Sequence, residues 1–99
     1  LSSSREFIIM KRAHIIVTGL VHGVGYRSYT KNYAKQLELK GFVRNVRDNK
    51  IEIVVEGYEK GINTFLQILR KGSWGAKVED IEIDWENPTN EFQDFEIKS

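Results

Sequence analysis

The chain has 99 residues, a net charge of +1 and no cysteine, so it suits one small two-layer domain without disulfides, thiol nucleophiles or zinc–thiolate sites. Two histidines are too few for a protein-only zinc site, and no apolar run approaches the ~20 residues of a membrane-spanning helix. We therefore expect no metal, no membrane partner and a cytoplasmic location.

The first elements are a strand and a helix joined by a glycine-rich loop. Residues 1–10 are expected to be a flexible arm or vector-derived sequence, and residues 11–99 the domain. A β-branched run ended by Gly19 predicts a first strand over 13–19. Apolar residues then recur at intervals of three and four, which predicts a helix over about 25–38.

The rest of the chain continues with strands and one more amphipathic helix. Gly72 is expected to end this second helix, and Asn49 to adopt a left-handed conformation in a hairpin. In chain order the patterns predict a strand over Phe42–Val46, a tight hairpin at Asp48 and Asn49, a strand over Ile51–Gly57, a helix over 59–71, a strand over Val78–Glu86 and a short edge strand within Glu91–Lys98.

The predicted order is strand, helix, strand, strand, helix, strand, followed by the short edge strand. Two helices are too few to cover both faces of a sheet, so one face stays open. We therefore predict an α+β fold, a ferredoxin-like βαββαβ two-layer sandwich in which an antiparallel sheet carries both helices on one face.

The small net charge conceals an asymmetry between the two halves of the chain. Residues 1–50 carry ten basic and three acidic side chains, whereas residues 51–99 carry five basic and eleven acidic ones. Either the fold clusters the basic charge around one anion site, or strands from the two halves interleave and the charges mix. The overall balance argues against a dedicated nucleic-acid binder.

The loop between the first strand and helix is a candidate anion site. It offers consecutive backbone N–H groups at the positive end of a helix dipole, which suits a phosphate-sized group. Gly23 and Gly25 permit backbone angles closed to other residues, and Arg27 adds a planar cation that can hold two phosphate oxygens. The pattern alone is unspecific, because many strand-to-helix turns need glycine only to turn, and it lacks the spacing of a P-loop or dinucleotide fingerprint.

Two motifs resemble signatures of the acylphosphatase family. Residues 17–27 read Val-Thr-Gly-Leu-Val-His-Gly-Val-Gly-Tyr-Arg and resemble its first signature, aliphatic-x-Gly-x-Val-Gln-Gly-Val-x-aromatic-Arg. Residues 41–45 read Gly-Phe-Val-Arg-Asn and resemble the second, in which a turn and an aliphatic strand ending in glycine follow, as Ile51 to Gly57 do here. The resemblance covers about residues 12–98 and implies the same ferredoxin-like fold.

The resemblance also implies roles for individual residues. Arg27 and the backbone amides of the loop would bind the phosphoryl group of an acyl phosphate, and Asn45 would hold the water that attacks phosphorus. Without the resemblance, Asn45 would more often cap hairpin backbone, and Arg27 would more often be a solvated helix charge. The loop residues implied for phosphate binding are Val21, His22, Gly23, Val24, Gly25 and Tyr26.

The implied function is hydrolysis of a small-molecule acyl phosphate to a carboxylate and orthophosphate. Inorganic phosphate would be both product and competitive inhibitor. Because a carboxylate is a good leaving group, holding the phosphoryl group and an in-line water supplies much of the rate, and the resemblance implies no cofactor. We expect a monomer with no nucleic-acid partner.

Three positions depart from the family pattern. His22 stands where glutamine is usual, and a histidine facing the site would titrate between pH 5 and 8. Tyr26 replaces phenylalanine and adds a hydroxyl that needs a partner. Asn49 stands where the hairpin usually has glycine, a change that asparagine tolerates in a left-handed turn.

Two alternative functions remain open at the level of the sequence. One is a catalytically idle module that only binds phosphate. The other is an RNA-binding module, because residues 40–46 resemble the strand of RNA-recognition domains that begins basic-Gly-aromatic. The second aromatic residue on which a base stacks in those domains is missing here.

Overall fold

Each strand and helix predicted from the sequence is present in the computed structural model, which describes residues 9–99. Residues 1–8 of the expected arm lie outside the described residues, and Met10 already belongs to the first strand. The elements are β1 (Met10–Leu20), α1 (Tyr26–Gln36), β2 (Lys40–Val46), β3 (Lys50–Tyr58), α2 (Glu59–Lys71), β4 (Lys77–Glu86) and β5 (Phe95–Lys98).

The five strands form one sheet in the order β4-β1-β3-β2-β5. The expected ferredoxin-like arrangement is confirmed. The pairs β1–β3, β1–β4 and β2–β3 are antiparallel, as predicted. β5 instead pairs parallel with β2, so the sheet is mixed rather than wholly antiparallel. The reason is topological. β4 runs opposite to β1 and β2, and the chain reverses once as it crosses from the β4 edge to the other edge, which gives β5 the direction of β2.

The core lies between the helices and one face of the sheet. Alternate residues of β1 are fully buried on this face, while their neighbours are half-buried on the open face, as expected for strands covered on one side. No helix within residues 9–99 is long and apolar enough to span a membrane. The fully buried side chains include Ala13, Ile15 and Val17 of β1, Ile51, Ile53 and Val55 of β3, Ala34 of α1, and Ile62, Phe65 and Leu69 of α2.

The ends of the helices and the hairpin follow local backbone chemistry. α1 stops at Gln36, two residues earlier than predicted, because Glu38 adopts a positive φ of 58° that a helix cannot continue. Gly72 ends α2 as predicted, with a φ of 76° and its N–H donating to the carbonyl of Ile68. Asp48 and Asn49 both have positive φ, which confirms the expected left-handed conformation of Asn49 in the tight hairpin.

Ion pairs mix the charges of the two halves of the chain. Lys35 of α1 contacts Asp94, and Arg44 of β2 contacts Glu52 of β3. Arg12 of β1 contacts carboxylates on three other segments, those of Glu56, Glu86 and Glu91. Each of these pairs joins a cation of residues 1–50 to a carboxylate of residues 51–99. Of the two arrangements considered from the sequence, interleaved strands with mixed charge describe these pairs.

The carboxylate of Glu56 holds the segment that connects β4 to β5. Its side chain is only 4% exposed and accepts hydrogen bonds from Arg12 at 2.8 Å, from the N–H and hydroxyl of Thr89 at 2.9 Å, and from the N–H of Asn90 at 2.9 Å. Burial acts to raise the pKa of Glu56, but these hydrogen bonds outweigh it and lower the pKa to about 2. The ionised form is therefore the form that the folded chain stabilises.

Stability in acid is expected to depend on Glu56. Because folding lowers its pKa from 4.5 to about 2, its contribution is fully present above about pH 5 and is lost as the pH falls toward 2. Glu56→Gln is expected to lower the free energy of unfolding at pH 7 by about 1–3 kcal/mol, because the amide cannot accept all four hydrogen bonds. Urea unfolding at pH 7 and pH 3 measures both effects, and the variant should lose less stability than the parent between the two.

The control is Glu86→Gln, which removes an exposed hydrogen-bond partner of the same arginine. It is expected to change the free energy of unfolding by less than about 1 kcal/mol. Equal losses in the two variants would contradict the role given to the buried carboxylate.

Candidate active site

The glycine-rich loop after β1 is held against the hairpin that joins β2 to β3. The N–H of Gly19 donates to the carbonyl of Asn49 at 3.1 Å. Three residues further along the loop, the ring Nε2 of His22 donates to the carbonyl of Lys50 at 2.6 Å. Because the same hairpin follows Asn45 on β2, these two hydrogen bonds tie the loop to the strands that position that asparagine.

Gly23 and Gly25 give the loop its shape through their backbone angles. Their φ values are 70° and 75°, in the left-handed region that favours glycine. Added Cβ atoms would meet nothing within 4 Å, so the glycines are needed for conformation rather than for space. The loop thereby turns into α1 with no side chain at these two positions.

A small cavity opens above this loop. Its volume is about 150 Å³, well below the ~300–1,000 Å³ of pockets that hold drug-sized ligands. The size suits a small group such as a phosphate ion, and backbone and charged groups supply much of its wall. The lining residues are Val21, Gly23, Gly25, Tyr26, Arg27, Ser28 and Ile97.

Arg27 lies in the first turn of α1, where its charge has no partner within the helix. That turn contains no acidic residue, and no side chain caps the helix N-terminus. Among residues 9–99 no carboxylate forms an ion pair with Arg27. A cation at this end opposes the helix dipole and is locally unfavourable. A bound anion would satisfy both the guanidinium and the uncapped N–H groups of the turn.

Asn45 lies on the helix-covered face of the sheet, close to the end of β2. It pairs with Ile51 of β3, which in turn pairs with Val17 of β1, the strand that leads into the loop. Its side-chain Oδ1 is buried and has no hydrogen-bond partner among the described residues. A buried amide oxygen without a donor costs about 1–3 kcal/mol, so this atom favours a donor such as water next to it.

Tyr26 is part of the core, and its hydroxyl has the partner that the sequence requires. The side chain is 1% exposed, and its hydroxyl donates to the carbonyl of Leu69 at 2.8 Å. Burial, with a smaller effect from neighbouring Tyr29, raises the pKa of the Tyr26 phenol. The replacement of phenylalanine therefore ties the start of α1 to the end of α2 without placing an ionised group in the cavity.

Two of the predicted loop residues turn their side chains away from the cavity. His22 is held by its hydrogen bond to Lys50, and neither it nor Val24 is among the lining residues. The carbonyl of Val24 accepts a hydrogen bond from the hydroxyl of Ser73 at 3.3 Å. Any part these two residues take in binding would be through their backbone amides.

Two lining residues were not foreseen from the sequence. Ser28 directly follows Arg27, so its place in the first helical turn was a usable signal. Ile97 comes from β5 and reaches the cavity only because that strand pairs parallel with β2. No local pattern in the sequence indicates that pairing.

Known proteins resemble this chain over most of its length. The family model described as acylphosphatase matches residues 13–97. An acylphosphatase of Pyrobaculum aerophilum is 44% identical over 89 residues, which are 89% of this chain and 94% of that protein. An acylphosphatase of a Roseiflexus species is 36% identical over 88 residues, which are 89% of this chain and 95% of that protein.

Solved structures give the same result for the fold. The crystal structure of an acylphosphatase from Bacillus subtilis superposes with a TM-score of 0.87 at 32% sequence identity, covering 92% of this chain and all of that one. Sequence and fold agree over nearly the same residues, and the chain therefore belongs to the acylphosphatase family of hydrolases.

Proposed function

We propose that this chain hydrolyses acyl phosphates to a carboxylate and orthophosphate by attack of water on phosphorus. The observation that carries the proposal is the buried Oδ1 of Asn45, which has no hydrogen-bond partner within residues 9–99. Asn45 lies on a strand that the anion loop contacts through its hairpin. An uncompensated arginine at an uncapped helix N-terminus and an amide oxygen in need of a donor are the two parts that such a reaction requires.

The loop and Arg27 hold the phosphoryl group. The backbone amides of residues 21–26 donate to the phosphoryl oxygens, and the guanidinium donates two further, parallel hydrogen bonds. These donors are in place before the substrate binds, so they do not have to reorganise as charge develops on the oxygens in the transition state. The same contacts serve binding and the chemical step.

Asn45 holds the attacking water. Its Oδ1 accepts one hydrogen bond from the water, which leaves an oxygen lone pair free to point at phosphorus. The amide is too weak a base to remove a proton, so it acts by position. As the new P–O bond forms, the bond from phosphorus to the acyl oxygen breaks and the carboxylate leaves with its electron pair. One proton of the water passes to a phosphate oxygen, and the other stays on the oxygen that has joined phosphorus.

This proposal extends to the small molecules that the site binds. Orthophosphate fits the same cradle as the substrate's phosphoryl group, so it is expected to inhibit competitively. The monomeric state and cytoplasmic location expected from the sequence stay predictions.

An RNA-binding role has less support on the open face of the sheet. Phe42, the aromatic of the RNA-recognition-like segment, lies on this face. Its ring contacts Phe92 edge-on at 6.0 Å between centroids, and the Lys98 ammonium lies 4.3 Å from its centroid. A base that stacked on Phe42 would have to displace both side chains.

Asn45→Ala is expected to lower kcat for benzoyl phosphate by about 100-fold or more, the usual cost of removing one polar group that acts in the transition state. The inhibition constant of orthophosphate should change by less than about threefold, because the phosphate contacts remain. Asn32→Ala, at an exposed position of α1, is the matched control and should leave both values unchanged. Equal loss of rate and of phosphate inhibition would contradict this division of roles.

Arg27→Ala is expected to remove phosphate binding together with activity. The parent should show a melting temperature that rises with phosphate concentration, since phosphate binds the folded state. Arg27→Ala should show no such rise, and Arg27→Lys should recover little of it, because an ammonium cannot copy the two-pronged contact. The control is Lys40→Ala, which removes an exposed cation at the other end of β2. A phosphate response in Arg27→Ala equal to that of the parent would be inconsistent with the proposal.

A further inference from the structure

The lining of the cavity includes one exposed apolar side chain. Of the hydrophobic side chains that line the cavity, Val21 and Tyr26 are each 1% exposed and belong to the core, whereas Ile97 is 38% exposed. The other lining residues contribute backbone, a guanidinium or a hydroxyl. Ile97 is therefore the lining side chain that can offer apolar surface to a ligand.

The position of Ile97 is set by strand pairing rather than by a mobile end. It lies beside Val43 of β2 in the parallel ladder. Val43 is fully buried on the helix-covered face, and Asn45 lies two residues further along β2 on that same face. Phe95, also fully buried, anchors β5 against Phe65 of α2 at 6.2 Å between ring centroids.

From these observations we infer that Ile97 contacts the acyl group of the substrate and makes the enzyme prefer larger apolar acyl groups to acetyl. The inference rests on the proposed function. With the phosphoryl group held by the loop and Arg27, the acyl group lies on the rest of the cavity lining or beside it, and Ile97 is the exposed apolar side chain of that lining. An apolar acyl group there removes the Ile97 side chain from water, which favours binding.

Other exposed apolar side chains occur near the loop but do not line the cavity. Leu20, 59% exposed, ends β1, and Trp74, 97% exposed, lies in the segment between α2 and β4. The residue before Trp74, Ser73, donates to the carbonyl of Val24, and Val24 does not line the cavity. These two residues serve as matched controls for exposed apolar surface outside the cavity.

The test compares kcat/KM for benzoyl phosphate and acetyl phosphate in the parent and in Ile97→Ala. The variant is expected to lose about three- to tenfold on benzoyl phosphate, below the range for an enclosed hydrophobic pocket because the mouth is open. It should change by less than about twofold on acetyl phosphate, which also shows that the variant is folded. Ile97→Thr keeps the β-branched shape preferred in a strand and should show the same loss of preference. Leu20→Ala and Trp74→Ala should keep the preference of the parent.

The outcomes separate this inference from the proposed function. If the folded parent hydrolyses neither substrate, the proposed function fails and this inference fails with it. If the parent is active but the ratio of the two kcat/KM values is unchanged in Ile97→Ala and Ile97→Thr, this inference alone is overturned. A fall in the ratio of the two kcat/KM values in Trp74→Ala, with none in the Ile97 variants, would also overturn it, because the acyl group would then contact Trp74 rather than Ile97.

Discussion

The site depends on the register of the three central strands. Val17, Ile51 and Asn45 lie side by side across β1, β3 and β2 on the helix-covered face. Because side chains alternate along a strand, a shift of one residue in the β2–β3 pairing would move Asn45 to the open face and place Val46 beneath the helices. The tight hairpin at Asp48 and Asn49 sets that register, and the loop after β1 is hydrogen-bonded to the same hairpin. Strand pairing, hairpin and loop therefore position the proposed water site together.

The site contains two locally unfavourable features that the surrounding fold must offset. Arg27 carries a cation at the positive end of α1, and Asn45 buries an oxygen without a donor among the described residues. Each is a feature that a fold selected for stability alone would avoid. The hydrogen bonds around Glu56 lie at the other end of β3, away from the loop, and the core that packs beneath the helices extends to Val21 and Tyr26 at the site. Both supply stability that the two unfavourable features do not. Both unfavourable features would be relieved by an anion and a water.

Much of the fold was predictable because its signals are local. Alternation, helical spacing and the asparagine of the hairpin act over a few residues, so the strands, both helices and the turn were correctly located. The side-chain partners of His22 and Tyr26 could not be predicted, because the carbonyls of Lys50 and Leu69 are distant in sequence. Neither could the parallel pairing of β5, which follows from the path of the chain across the end of the sheet. For that reason the place of Ile97 in the cavity lining could not be predicted either.

Isotope labelling distinguishes attack of water on phosphorus from attack of water on the carbonyl carbon of the substrate. Benzoyl phosphate would be hydrolysed by the protein in water enriched in the heavy oxygen isotope, and both products would be analysed by mass spectrometry. Attack on phosphorus should place one heavy oxygen in the orthophosphate and none in the benzoate, because the bond that breaks joins phosphorus to the acyl oxygen. Heavy oxygen in the benzoate would show that water attacks the carbonyl carbon, and the roles given to Arg27 and Asn45 would then be wrong.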